Sequence, residues 1–189
     1  MSDGFVDVLR YFQFEGDFLD GALYPFGHIN DTYCVRFGTT GGRVRRYILQ
    51  RINRYVFKEP EKLMRNIEMV TAHLRKKVIA ARGDPQREVL TLVPTTDGKA
   101  FYRTPDGHYW RAYVFIDGAQ TYETAQTPEH FYSAAKAFAR FQQLLSDFPA
   151  EQLYETIPDF HHTPKRFAAF VQALERDARN RARSVKAEI

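Results

Sequence analysis

The chain has 189 residues, of which 44% are hydrophobic and 15% aromatic, and this composition excludes a wholly disordered protein. Its single cysteine, Cys34, excludes an intramolecular disulfide and a zinc site built from cysteines, and is expected to be a small buried residue. The sequence has no apolar run long enough to cross a bilayer and no apolar signal segment at its start. A cytoplasmic protein without a membrane partner is therefore expected.

The formal net charge is +4, and the excess lies in clusters at 43–54, 75–77 and 176–186. Such clusters are typical of solvated faces, of surfaces that attract polyphosphate ligands, and of nucleic-acid binding. Because the sequence contains no nucleic-acid-binding motif, no nucleic-acid partner is expected.

The first part of the chain has the pattern of an antiparallel sheet with one long helix. A short helix is expected at 5–12, and residues 21–26 lead into a glycine turn at Gly27. A long helix is predicted at 61–77, since Pro60 suits its first position and apolar residues repeat with helical spacing. About five strands are predicted, at 31–37, 45–52, 89–93, 100–103 and 108–116, with glycine turns at 38–42 and 104–107.

The second part is predicted to be helical. Thr127 is expected to cap a helix that begins at Pro128, and a connector at 156–164 precedes a last helix at 166–183. The predicted buried stripe of the first of these helices consists of Phe131, Ala135, Phe138 and Leu145. The apolar residues that the last helix is expected to expose, unless another segment covers them, are Phe167, Phe170 and Leu174.

The order of these elements is typical of the nucleotide-binding lobe of a kinase. A glycine turn lets the backbone approach phosphates closely, and its N–H groups supply hydrogen-bond donors. In such a lobe a side chain of the third strand reaches the phosphates and is steadied by a residue of the following helix. The strand before Gly118 would offer backbone hydrogen bonds to a purine edge.

A set of sequence runs adds specificity to this pattern. The runs are GHINDTY at 27–33, YILQRIN at 47–53, LMRNIEMVT at 63–71, VPTT at 93–96, WRAYVFI at 110–116, AFARFQ at 137–142 and ETIPDFHHTPKRF at 155–167. In this order they resemble the N-acetylhexosamine 1-kinases, members of the aminoglycoside phosphotransferase-like kinases, from about residue 12 to residue 167.

The resemblance implies an α+β fold in which residues 1–116 form a kinase-like N-lobe and residues 117–189 form the hinge and an incomplete helical C-lobe. It implies ATP and magnesium as cofactors, and phosphorylation of the anomeric hydroxyl of GlcNAc or GalNAc. The choice between these sugars stays open. The alternatives are a nucleotide-binding or partner-binding lobe without catalysis, and a related kinase that acts on another small molecule.

The resemblance also assigns site residues, position by position. The nucleotide-binding residues are Gly27, His28 and Asn30 in the turn, Ile48 and Gln50 on the third strand, Glu68 on the helix, and Phe115, Ile116 and Asp117 at the hinge. The residues assigned to the sugar are His161, Thr163 and Arg166. Plain structural roles stay open as well: Asn30 bonded to its own backbone, a solvated Glu68, an ordinary strand end at the hinge, and a surface position for His161.

Gln50 departs from the family pattern, because the run YILQ at 47–50 aligns with a Val-Ala-Ile-Lys pattern. A neutral side chain cannot form the usual Lys–Glu ion pair, although Glu68 remains the expected helix partner of this strand. Arg51 and Arg65 are candidates for the missing cation.

Residues that would perform phosphoryl transfer are not found in the sequence. None of the six histidines is followed two positions later by Asp, and no Asp-Phe-Gly or Asp-x-Asp run occurs. The resemblance implies that the catalytic Asp and the magnesium ligands lie beyond Ile189, so no catalytic or metal-binding residue is assigned. The chain is expected to be inactive by itself, and a missing C-lobe is a candidate partner.

Overall fold

An antiparallel sheet of six strands and four α-helices make up this α+β protein, as seen in a computed structural model that describes residues 4–122 and 124–188. The chain divides into two compact units between Thr156 and Ile157, and the whole sheet belongs to the first. None of the helices in the described ranges is long and apolar enough to span a membrane.

The sheet has the strand order β1-β2-β3-β6-β4, and β5 pairs with β6 beside this path. The strands are β1 (Asp17–Leu23), β2 (Asp31–Gly38), β3 (Val44–Arg51), β4 (Leu92–Val93), β5 (Tyr102–Arg103) and β6 (Tyr109–Val114). A strand before the glycine turn was expected, but without bounds, since residues 21–26 were predicted only to lead into the turn; the structure places this strand, β1, at Asp17–Leu23. Most of its side chains are exposed, so its residues lack the alternation that marks a half-buried strand. Conversely, β4 and β5 are shorter than predicted.

The helices are α1 (Val6–Leu9), α2 (Pro60–Ala80), α3 (Pro128–Leu144) and α4 (Thr163–Arg176). The predicted start of α2 beside Pro60 is confirmed, and the helix continues three residues beyond the predicted end. The prediction for α4 was wrong at its end, because Asp177 adopts a left-handed conformation with φ 33° and stops the helix there. Thr127 does precede α3, but its side chain makes no capping hydrogen bond.

One face of the sheet is covered by α1 and forms the main core. Val35 and Leu49 are fully buried there, and Trp110 and Phe12 lie in the same cluster. Gly21 on β1 lies against α1 closely, since a Cβ at this position would come within 3.0 Å of the Phe5 ring. We call this side of the sheet the α1 face.

The other side of the sheet meets α2. Met64 of α2 is fully buried against Ile52, Ala100 and Tyr109. Farther along α2, a separate cluster joins Leu74, Val78 and Val89, with Leu144 and Leu145 packed against it. The inserted helix is therefore held at both ends by apolar contacts.

The predicted buried stripe of α3 is wrong. Phe131 is 67% and Phe138 is 70% exposed, and Ala135 is exposed as well, whereas Leu145 is half-buried beyond the end of the helix. Leu144 at the end of α3 packs against α2, whereas the side chains of its earlier turns stay exposed, so a regular apolar spacing does not by itself produce burial. In the second unit, the expected exposure of Phe167 and Phe170 on α4 is confirmed, while Leu174 is half-buried.

Candidate functional site

The glycine turn lies between β1 and β2, at residues 24–30. The Tyr24 N–H donates to the Thr32 carbonyl oxygen at 2.8 Å and closes the turn. Gly27 has a φ of +104°, and a Cβ built on it would meet nothing within 4 Å. Glycine is thus required at this position for its backbone conformation and not for space. His28 is exposed at the tip.

Two asparagines tie this turn to the segment that follows β3. The Asn30 side-chain oxygen accepts from the Asn53 backbone N–H at 2.9 Å, and Asn53 Nδ2 donates to the Ile29 carbonyl oxygen at 2.9 Å. The side-chain oxygen of Asn53 also accepts from the Tyr55 N–H at 2.9 Å. The side-chain oxygen of Asn30 therefore bonds to a distant segment and not to its own turn. These bonds hold the turn against the connector between β3 and α2.

Gln50 lies between two polar neighbours on the face opposite α1. In the strand register it stands beside Thr32 of β2 and Arg111 of β6. Nε of Arg111 donates to the Gln50 side-chain oxygen at 3.1 Å, and Gln50 Nε2 donates to Thr32 Oγ1 at 3.0 Å. Since a guanidinium only donates, the amide oxygen of Gln50 must face Arg111, which fixes the orientation of the amide. We call this side of the sheet the Arg111 face.

Arg111 is 9% exposed, which is unusual for a cation. Its Nη1 lies 3.9 Å from the Met64 sulfur, and its guanidinium carbon lies 5.1 Å from the centre of the Tyr113 ring. Burial lowers the pKa of Arg111, and burial raises the pKa of Tyr113 to about 12 against a smaller opposing effect of the Arg111 charge. Sequence reasoning missed Arg111, although a charge within the apolar run 109–114 was a usable signal.

The Arg111 face continues towards β1 and the sheet edge through half-buried apolar residues. Cys34 and Ile48 are both half-buried there, and burial raises the pKa of the Cys34 thiol. Two ion pairs lie near Cys34: Asp20 with Arg36, and Asp117 with Arg46. Each carboxylate on this part of the face thus has its own guanidinium.

The predicted hinge residues follow β6 and contact β3. The Phe115 N–H donates to the Arg46 carbonyl oxygen at 3.1 Å, and the Arg46 guanidinium lies 4.2 Å from the centre of the Phe115 ring. Asp117 pairs with Arg46, and its carbonyl oxygen accepts from Arg87 at 2.6 Å. Phe115 and Ile116 are half-buried. The segment is therefore anchored to the same strand that carries Gln50.

No protein-family model matches this chain.

Glu68 was expected either to partner the third strand or to be a solvated helix residue, and its exposure agrees with the second alternative. Glu68 is exposed, and in the described ranges no hydrogen bond or ion pair joins its side chain to Gln50; Met64 is the α2 residue that contacts Arg111. Neither candidate cation contacts Gln50 in the described ranges. Arg51 points to the α1 face, where it pairs with Asp31 at 2.5 Å, and Arg65 is exposed. The cation beside Gln50 is Arg111.

His161, Thr163 and Arg166 belong to the second unit, where all three are exposed. The rings of His161 and Phe160 meet edge to face at 4.8 Å, and the Arg166 guanidinium lies 5.4 Å from the centre of the Phe160 ring. Thr163 begins α4, which His162 caps by accepting from the Lys165 N–H. Phe160 therefore brings two of the three residues assigned to the sugar together.

A cleft of about 640 Å³ opens beside the glycine turn and the β3–α2 connector. Its lining is basic, but the cations have local partners. Arg51 pairs with Asp31, Arg54 donates to the Gly107 carbonyl oxygen at 3.1 Å, and Lys58 lies 5.9 Å from the centre of the Tyr55 ring. The cleft and the Arg111 face are separate surfaces, since Gln50 and Arg111 do not line the cleft.

A metal ion needs several ligands at one place. The described residues contain no group of three or more His, Cys, Asp or Glu side chains that could hold one. The carboxylates nearest the Arg111 face, Asp20 and Asp117, are paired with arginines. These residues do not fit magnesium by themselves, and no step through a metal is derived.

Proposed function

We propose that this chain is the nucleotide-binding, N-terminal portion of an ATP-dependent kinase that phosphorylates the anomeric hydroxyl of N-acetylhexosamines. The observation that carries the nucleotide part is the arrangement of one sheet. A glycine turn joins its first two strands, a helix is inserted after the third, and the segment after β6, which is the proposed hinge, is anchored to that third strand. The sugar part rests on the resemblance of the sequence runs.

The proposed binding mode uses groups on this sheet. The backbone of the Gly27 turn would lie over the phosphates, and Gln50 with its neighbours would lie beneath them. The backbone of the hinge residues Phe115 and Ile116 would meet the purine edge. Magnesium, when bound with ATP, neutralises phosphate charge; this chain would contribute the turn, the face of the sheet and the hinge.

Calorimetry and thermal shift with ATP, ADP and adenosine test the nucleotide part. We expect ATP and ADP to bind and to raise the melting temperature, since a ligand that binds only the folded state stabilises it. Gly27→Ala should weaken binding, because alanine resists the φ of this turn. Gly98→Ala is the matched control: Gly98 has a φ of +82° and open space, but lies in another turn. No heat and no shift at millimolar ATP would refute the proposal.

A nucleotide-binding lobe without catalysis is the second candidate. The absence of a His-x-Asp run from the sequence favours it, because phosphoryl transfer needs a base that orients the attacking hydroxyl. An assay of phosphate transfer from ATP to GlcNAc or GalNAc separates the two activities. We expect the 189-residue chain to bind ATP but not to transfer phosphate, and measurable sugar 1-phosphate would exclude the second candidate.

A further inference from the structure

Arg111 carries a charge that nothing in the described ranges neutralises. It forms no ion pair there, and its contacts are an amide oxygen, a thioether sulfur and an aromatic ring. Asp20 and Asp117 are paired with Arg36 and Arg46. A guanidinium remains protonated in proteins, and a charge withdrawn from water is costly unless it is compensated. An anion beside Arg111 would supply that compensation.

The geometry of the guanidinium leaves donors for such an anion. Nε is committed to Gln50 and Nη1 faces the Met64 sulfur, whereas Nη2 has no acceptor among the described side chains and backbone. No side-chain nitrogen or oxygen in the described ranges is both fully buried and without a partner, so Nη2 keeps some contact with solvent. A guanidinium presents its donors as a planar fork that matches phosphate oxygens.

Hydrogen bonds connect Arg111 to the glycine turn. Arg111 donates to Gln50, Gln50 donates to Thr32, and Thr32 Oγ1 donates to the Asn30 carbonyl oxygen at 3.3 Å. In each of these three bonds the donor is the residue nearer Arg111 and the acceptor is the residue nearer the turn. Linked hydrogen bonds polarise one another. These three bonds therefore orient the Gln50 oxygen towards the cation and connect Arg111 to the end of the glycine turn at Asn30.

This arrangement also explains a neutral residue at position 50. A lysine there would put a second cation next to the buried guanidinium, in the register position directly across from it. Glutamine instead accepts from Arg111 and leaves the positive charge on β6. The cation at this register position thus stands on β6 and not on β3.

We propose that Arg111 is a phosphate-binding residue, and that its ligand is the phosphate chain of a nucleotide placed under the glycine turn. The nucleotide rests on the proposed function, whereas the anion site rests on Arg111 itself. Gln50 acts through Arg111 as a positioning residue. Inorganic polyphosphate carries the same phosphate groups as a nucleotide and would bind by the same chemistry. The experiment must therefore distinguish these two ligands.

The test titrates tripolyphosphate, ATP and adenosine into the wild-type chain and three variants. Arg111→Gln should weaken the binding of ATP and of tripolyphosphate at least about 10-fold, as expected for the loss of a charged hydrogen bond. Arg45→Gln is the control, because Arg45 is an exposed cation of the same sheet paired with Glu15, and binding should stay within about twofold. The double variant Gln50→Lys/Arg111→Gln returns the cation to β3 and should recover part of the lost affinity.

Direct detection guards against a variant that fails to fold. The Arg111 Nε–H resonance, assigned by its loss in Arg111→Lys, should shift when tripolyphosphate or ATP is added. If ATP binds the wild type and the folded Arg111→Gln variant equally, the anion site is refuted and the proposed function stands. A different result is that tripolyphosphate binding depends on Arg111, ATP binds no more tightly than tripolyphosphate, and adenosine does not bind. The proposal that the ligand is a nucleotide is then refuted, and the anion site stands. If neither ligand binds or shifts the resonance, both are refuted.

Discussion

The side-chain oxygen of Gln50 on β3 accepts a hydrogen bond from Nε of Arg111 on β6 at 3.1 Å. A neutral acceptor and a buried cation thus occupy neighbouring strands at the same register. The pair places the positive charge at this register position on β6 and not on β3. The stability of the fold depends on this pair, and its dependence on pH and its hydrogen exchange depend on residues in the same sheet and its turns.

Gln50→Lys should destabilise the fold by about 2 kcal/mol or more. The substitution removes the acceptor of Arg111 and places two cations together where solvent screens them poorly. Urea unfolding measures the loss. Gln152→Lys adds the same charge at an exposed glutamine and should change stability by less than about 0.5 kcal/mol. Equal effects of the two substitutions would contradict the described environment of Gln50.

Tyr113 should make stability fall at high pH. Burial raises its pKa to about 12 in the folded chain, whereas an unfolded tyrosine titrates near 10. The contribution is therefore fully present below about pH 10 and is lost as pH rises towards 12, by about 2 to 3 kcal/mol. Unfolding of the wild type and of Tyr113→Phe between pH 9 and 12 measures this loss.

The matched control for that titration is Tyr55→Phe, at a side chain that is 89% exposed. Tyr55→Phe should lose as much stability as the wild type between pH 9 and 12, whereas Tyr113→Phe should lose less. Comparison of variants is needed because the pKa values of Tyr102 and Tyr109 are also raised, by a hydrogen bond with Tyr11 and by burial respectively. A pH profile that Tyr113→Phe does not change would refute the prediction.

Asn53→Ala should loosen the glycine turn. It removes two side-chain bonds, to the Ile29 carbonyl oxygen and from the Tyr55 N–H, and a typical bond of this kind contributes about 1 kcal/mol. Hydrogen exchange across residues 24–33 should become faster, while exchange in α2 changes little. Asn53→Asp keeps the acceptor for Tyr55 but loses the donor to Ile29, so it should have a smaller effect. Unchanged exchange in both variants would show that these bonds do not hold the turn.

Phe138→Ser should lower the free energy of unfolding by less than about 0.5 kcal/mol and should reduce the binding of a hydrophobic dye such as ANS. Phe138 is 70% exposed on α3, where its ring adds to an apolar surface. Leu49→Ala provides the contrast, because Leu49 is fully buried and its truncation should cost about 2 to 5 kcal/mol. Thermal and urea unfolding compare the two. A large loss from Phe138→Ser would show that this ring is buried.

Much of the fold was readable from local patterns. The helix at Pro60 and the glycine turns at 38–42 and 104–107 follow from proline geometry, helical spacing and positive φ, which act within a few residues. The bounds of β1 were not predicted, because its side chains are mostly exposed and its pairing with β2 is made by the backbone. The end of α4 at Asp177 depends on a residue other than glycine in a left-handed conformation, for which the sequence contains no strong signal.

The candidate site was predictable only in part. The sequence marks position 50 because Gln50 departs from a Lys pattern, but its partners Thr32 and Arg111 lie 18 and 61 residues away. The α2 residue that contacts Arg111 is Met64, whereas Glu68, one turn further along the helix, is exposed. A hydrophobic stripe tells which helix face can be buried, but not which of its residues meets a given strand position.

The sequence by itself determined the class of fold, the position of α2, the turns, and the fact that a neutral residue stands at position 50. These features depend on backbone preferences and spacing that act over one or a few turns. Only the tertiary structure decided that Arg111 is the cation beside Gln50, that Asn53 holds the glycine turn, and that the aromatic residues of α3 are exposed. Such features depend on strand register and on which surfaces meet, and the energy of a buried charge depends on neighbours that are distant along the chain.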